Sequence, residues 1–254
     1  MRKMQFKTIG MVLLLGAFLA ETGRVADLQG TVSSPLTGTF SGGLSVIWAR
    51  SQEPQTLKKF SESELRQLKP STSREKDPRT GQVTEWSGTL LSTVLETAMG
   101  GLDPASKAQI DLVVLTGAGG VQAVIPRAFL GKYPILLSWR GGSAAGLRSV
   151  VPWTSRPRIL KEGIPLESLF LNQVAKVELT SYQVRFGKYF LRKRTDPAAM
   201  RGERHFVQSC VSCHQGGAPA LKTQGHPAVR GFQLPDDRTR RALESYFTAF
   251  RTQD

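Results

Sequence analysis

The sequence predicts an α+β fold: a larger mixed domain followed by a small, all-helical C-terminal one. Apolar runs of strand length recur between residues 44 and 180, separated by glycine- and proline-containing turns. Only two stretches of that region, opening near Ser61 and Leu90, carry apolar residues at helical spacing. After Pro197 the strand-like runs stop, and two helical patterns take over, one approaching Cys210 and one over residues 238–251.

The chain opens with Arg2, Lys3 and Lys7, then an apolar run from Ile9 to Ala20 closed by Glu21 and Arg24. That run falls short of the roughly 20 apolar residues a membrane-spanning helix needs. A basic start followed by a short apolar core is the layout of a secretory signal, assigned here to residues 1–25. Phe18 occupies a position where cleavage favours a small residue, so an uncleaved N-terminal anchor, the only membrane contact expected, stays open. No cysteine follows the run to take a lipid. Export to the periplasm or an equivalent compartment is expected.

Residues 26–43 are rich in Gly, Ser and Thr and read as a linker, and 44–48 as the first strand. Ser61 and Glu64 have the spacing of a capping box, with Leu65 and Leu68 on one face of the helix they open. The stretch 69–81 is polar and contains proline, and it ends in the turn-like Asp77-Pro-Arg-Thr-Gly81. A second helix over 90–99 is closed by Gly100-Gly101. Strands follow over 110–115 and 121–125, joined by Thr116-Gly-Ala-Gly-Gly120. A dinucleotide-binding loop there would have to open a helix, yet Val121-Gln-Ala-Val-Ile125 runs into Pro126, so a glycine-rich hairpin is the better account. Further strands are expected over 135–139, 149–153 and 174–180. The basic, aromatic stretch 184–196 reads as a linker between domains.

With 34 Lys+Arg against 20 Asp+Glu, the 254-residue chain carries a net charge of +14. Such a charge favours acidic partners. No RNP, zinc-finger or helix-turn-helix pattern accompanies it, so nucleic acid is not an expected partner.

The chemistry concentrates in Phe206-Val-Gln-Ser-Cys-Val-Ser-Cys-His-Gln-Gly-Gly217, which holds both cysteines of the chain. A structural zinc site needs four ligands, and there is no second cysteine pair. A redox disulfide would sit beside a βαβ pattern that is absent upstream. Covalent haem c accounts for every residue of the motif. Cys210 and Cys213 bond to the macrocycle, and His214 is the proximal iron ligand.

Gly202, Phe206 and Cys210 lie four residues apart on one helical face, and Leu243, Tyr246, Phe247 and Phe250 form a stripe on the last helix. With GxxxFxxxCxxCH, this stretch (residues 197–254) resembles a class I cytochrome c domain. The resemblance implies that first and last helices cross, Gly202 and Phe206 meeting Leu243 and Tyr246. It also implies a distal iron ligand beyond the motif, usually methionine, but no methionine follows His214. His226 is the expected replacement, with Lys222 or an open site as alternatives. His205 is expected on the surface, facing away from the haem.

Residues 38–183 resemble the molybdopterin-binding domain of the sulfite oxidase family. The segments that carry this are, in order, 60–68, Glu85-Trp-Ser-Gly-Thr-Leu90, Leu115–Pro126, Gly146-Leu-Arg-Ser-Val-Val-Pro152 and 174–180. The resemblance implies a mixed α+β fold and a molybdenum–pterin cofactor bound through a cysteine thiolate, a soft-ligand role. No cysteine lies outside the haem motif and no histidine precedes His205, so a degenerate domain for docking or sensing is expected. Arg127, Arg140, Arg148, Arg156 and Arg158 remain as candidates for a pterin phosphate. The expectation is thus an electron carrier with an acidic redox partner. The rivals are a molybdopterin-dependent oxidoreductase passing electrons to the haem, and a haem-based sensor.

Overall fold

In the computed structural model, β1 (Leu44–Trp48) turns Leu44, Val46 and Trp48 into a core and leaves Ser45 and Ile47 half-covered, the alternation that a pleated strand imposes. The structure describes residues 43–50, 53–141, 146–211 and 236–253; the expected signal over 1–25 and most of the linker over 26–43 lie outside them. β2 (Gln55–Phe60) pairs antiparallel with β1. Its Lys58 and Lys59 lie on a sheet edge, where charge discourages further pairing.

α1 (Glu62–Gln67) begins at the capping box expected from sequence. Ser61 Oγ accepts the Glu64 N–H at 3.2 Å, and the Glu64 carboxylate accepts the Ser61 N–H at 2.8 Å. The polar stretch holds a strand that was not expected, β3 (Pro70–Lys76), paired with β4 (Val83–Leu90) around the expected Asp77–Gly81 turn. β3 escapes a hydrophobicity reading because its one buried residue is a carboxylate, Glu75. α2 (Leu91–Ala98) buries Leu91, Val94, Leu95 and Ala98 on one stripe, and the short α3 (Pro104–Ala108) is capped by Asp103.

β5 (Leu112–Thr116) and β6 (Gln122–Pro126) form the expected hairpin. Residues 118–120 make a single 3-10 turn before the chain re-enters a strand, so no helix N-terminus opens at the glycines. α4 (Arg127–Lys132) was not legible, since it buries only Phe129. β7 (Leu136–Arg140), β8 (Arg148–Val150) and β9 (Lys176–Thr180) complete the strands; β7 and β9 differ from their expected limits by one or two residues, and β8 ends three residues short.

The strands form a five-stranded sheet, β2-β1-β9-β5-β6, and a four-stranded sheet, β3-β4-β7-β8. Within the first, β1 and β9 are parallel and the other neighbours antiparallel. The fold is therefore α+β. One large core lies against both sheets and takes in Trp86, Leu95, Leu137, Phe170 and Leu179.

The stretch expected as a linker opens within α5 (Tyr182–Phe186), capped by Ser181, and buries Phe186, Tyr189 and Leu191; Arg185 turns inward, while Lys188, Arg192, Lys193 and Arg194 are exposed. α6 (Pro197–His205) follows, with Asp196 as N-cap and Pro197 in its first turn. Phe206–Cys210 widens into a π-helical turn closed by Val211 N–H to Phe206 O at 2.9 Å. α7 (Asp237–Arg251) is the last element described. A second core joins these helices to the sheet, for Leu112, Val114 and Val124 belong to the same buried cluster as Phe206, Leu243 and Tyr246. Among the described residues no helix is long and apolar enough to cross a membrane.

Candidate functional site

Cys210 ends the π-helical turn and is partly exposed, in contrast to Val207, Ser209 and Val211 around it, which are buried. Cys213, His214, Lys222 and His226 lie outside the described residues. What can be built from the residues upward is the frame that presents Cys210.

That frame turns on Gly202. A Cβ added there would sit 2.0 Å from the Ala242 carbonyl oxygen and 2.7 Å from Tyr246 Cβ, so only glycine lets α6 and α7 approach this closely. One turn on, Phe206 packs against Tyr246 and Phe247, with ring centroids 5.5 and 5.4 Å away, and edge-on to Tyr189 at 5.7 Å. Gly202 and Phe206 thus both meet Tyr246, and Leu243 lies in the same cluster.

Polar groups lock the lobe. Tyr246 Oη donates to Tyr189 O at 2.6 Å, and burial, the nearby Glu203 charge and Tyr189 push its pKa far above that of an ordinary phenol. Glu203, buried on α6, accepts the Leu191 N–H at 2.5 Å and pairs with Arg194 at 2.9 Å. Arg192 donates its backbone N–H and a guanidinium N–H to Gln253. Tyr189, Glu203 and Gln253 were not singled out from sequence. A Glu nine residues after an Arg carries no helical or strand period that would pair them.

His205 corrects an expectation. It is half-buried rather than on the surface, and its Nε2 is shut from solvent with no hydrogen-bond partner among the described residues. Burial lowers its pKa, partly offset by the Asp236 carboxylate at the start of α7, so it is neutral at pH 7.

In the larger lobe, most of the arginines proposed for a pterin phosphate are committed elsewhere. Arg148 is buried, pairs with Asp77 at 2.7 Å and lies over the rings of Trp86 and Phe170 at 4.9 and 5.9 Å. Burial pushes the Asp77 carboxyl up, but the Arg79 N–H, the Arg148 charge and the Thr80 N–H outweigh it and hold its pKa below the usual range. Arg127 donates to the carbonyls of Lys107 and Ile110, and Arg156 to that of Lys132. Arg140 and Arg158 remain exposed. A second buried carboxylate, Glu75, accepts from the backbone N–H and hydroxyl of Thr154 and the hydroxyl of Ser155, and a third, Glu178, pairs with Arg185. With no cysteine upstream of Cys210, these residues do not fit a thiolate-bound molybdenum centre.

The C-terminal donor set does fit haem. Two thiols and an imidazole sit in adjacent sequence, and the first thiol is offered at the rim of an aromatic core rather than inside it. Comparison with models of known protein families finds no match, and neither does comparison with curated proteins.

Proposed function

We propose that this chain is an exported monohaem c-type cytochrome that carries electrons to or from an acidic redox partner, fused to a molybdopterin-type domain that has lost its molybdenum chemistry. The observation that carries the reading is the junction of CxxCH with a glycine-mediated helix crossing. The motif begins on the helix whose Gly202 lies against Ala242 and Tyr246, and whose Phe206 fills the aromatic core.

In this reading Cys210 and Cys213 hold haem c covalently and His214 is its proximal ligand, with His226 as the distal ligand in place of methionine. The haem supplies a one-electron couple, and paired imidazoles place its potential below that of a His/Met site. The chain's own contribution is rigidity and charge. Gly202 and Phe206 fix the helix that presents Cys210, and the aromatic cluster keeps water from its inner side. The surplus of cations raises the encounter rate with an acidic partner. The larger domain keeps an α+β frame, but its buried charges neutralise one another or are capped by hydroxyls.

An absorption spectrum and metal analysis of protein matured in an exporting host test this. One iron per chain, a c-type haem spectrum and no molybdenum are expected. Stoichiometric molybdenum would move the reading to a molybdopterin-dependent oxidoreductase. Rapid, complete carbon monoxide binding by the ferrous protein would remove His226 as a firm ligand and favour a sensor.

A further inference from the structure

We infer that the larger α+β lobe is the platform on which the C-terminal lobe is built, so that Cys210 works from one fixed position rather than on a swinging domain. This goes beyond the electron-carrier reading and rests on it only for the role of Cys210.

The strongest observation is that the sheet is apolar on both sides. On β5, Val113 and Leu115 face the large core, while Leu112 and Val114 face the other way, fully buried at 0% exposure. On β6, Ala123 and Ile125 divide from Val124 in the same manner. Two buried apolar faces require two covers. The second cover is the group that includes Phe186, Tyr189, Phe206 and Tyr246, so one continuous core joins the sheet to the helix that ends at Cys210.

Polar ties reinforce the apolar one. Arg185, on α5, reaches buried Glu178 of β9 at 3.3 Å and Gln122 of β6 at 2.8 Å. Asp111, just before β5, accepts the Tyr182 N–H at 2.8 Å. The turn that carries Cys210 is itself seated on the larger lobe. Ser209 is buried, and its Oγ lies 3.1 Å from where a Cβ on Gly163 would stand. Gly163 has φ +75°, so a side chain there would be strained as well as crowded.

Size points the same way. Residues 197–254 are roughly sixty, a length at which a lone domain is marginal. Domains that move on a tether meet through polar, modest surfaces. Here the tether candidate, exposed from Arg192 to Pro197, is bracketed by residues buried in the shared core, Leu191 and Ala199.

The test uses the full, matured chain. A site-specific protease sequence is inserted after exposed Lys193, the folded protein is cut, and the fragments are followed by mass and haem absorbance through gel filtration. We expect the two fragments to co-elute and to part only in denaturant. Release of a folded, haem-bearing C-terminal fragment with an unchanged spectrum would overturn the inference. Co-elution of fragments that carry no haem would uphold the platform and sink the cytochrome reading, so the two failures are distinguishable. A second measurement covers poor tolerance of the insertion. Val114→Thr keeps the side-chain shape but puts a hydroxyl into the shared face, and amide exchange across α6 and α7 should speed up about tenfold. Unchanged exchange there would count against a shared core.

Discussion

Each lobe buries a carboxylate and pairs it with an arginine, but the two pairs differ in setting. In the α+β lobe, Asp77 and Arg148 are both buried, and the arginine is enclosed by Trp86 and Phe170. In the helical lobe, Glu203 is buried while its partner Arg194 is half-exposed, and Glu203 spends its other oxygen on the Leu191 N–H. The first pair closes an interior that has no thiol or imidazole to do chemistry. The second ties the chain entering α6 to the helix that presents Cys210. The difference is one of use: the larger lobe's buried pair holds its interior together, whereas the smaller lobe's pair positions the turn that carries Cys210.

The comparison breaks most readily at the helix crossing. Gly202→Val places branched carbons against a backbone carbonyl that cannot withdraw, and should cost about 4 kcal/mol or more, with loss of the helical lobe. Phe206→Ala empties the centre of the same cluster and should cost about 3–5 kcal/mol. Urea unfolding followed by circular dichroism reads both.

Next comes the buried pair of the larger lobe. Arg148→Met leaves Asp77 buried without its cation and should cost about 3–5 kcal/mol, whereas the double change with Asp77→Asn should recover much of it. Because the folded pKa of Asp77 lies below its unfolded value, the pair's contribution is complete above about pH 4 and fades as pH falls through the folded pKa. Asp77→Asn should therefore flatten the acid limb of the stability curve, and an unchanged limb would remove Asp77 from the account.

Glu203→Gln sharpens the contrast. With Arg194 half in solvent, the charge is worth less, and a loss of about 1–2 kcal/mol is expected, smaller than for Arg148→Met. At the bottom of the scale, Ser61→Ala removes a cap remote from both pairs and should cost about 1 kcal/mol.

What the sequence made legible was what repeats or what is local. Ser61 and Glu64 announce α1 by spacing alone, and Gly202, Phe206 and Cys210 mark one helical face. The unbroken run Leu-Val-Val-Leu announced β5 as a strand, though not that both its faces are covered. The second cover comes from residues about 75 to 130 positions further on. β3 stayed hidden because a buried glutamate, satisfied by Thr154 and Ser155, looks polar in any hydrophobicity pattern. The stretch from Arg185 to Arg194 read as a linker because its charges dominate composition. Its burial depends on Phe186, Tyr189 and Leu191, whose partners lie on β5, β6, α6 and α7. Of the candidate site, the spacing of Cys210, Cys213 and His214 is what the sequence offers, and only Cys210 lies among the described residues, in a frame that the sequence announced in part.

The most direct measurement is mass spectrometry of the proteolytic peptide that contains Cys210, Cys213 and His214, from protein matured in an exporting host. The account predicts one haem added to that peptide, bound through both thiols and resistant to acid acetone extraction. An unmodified dithiol, a disulfide or a zinc adduct at Cys210 and Cys213 in protein matured this way would contradict it.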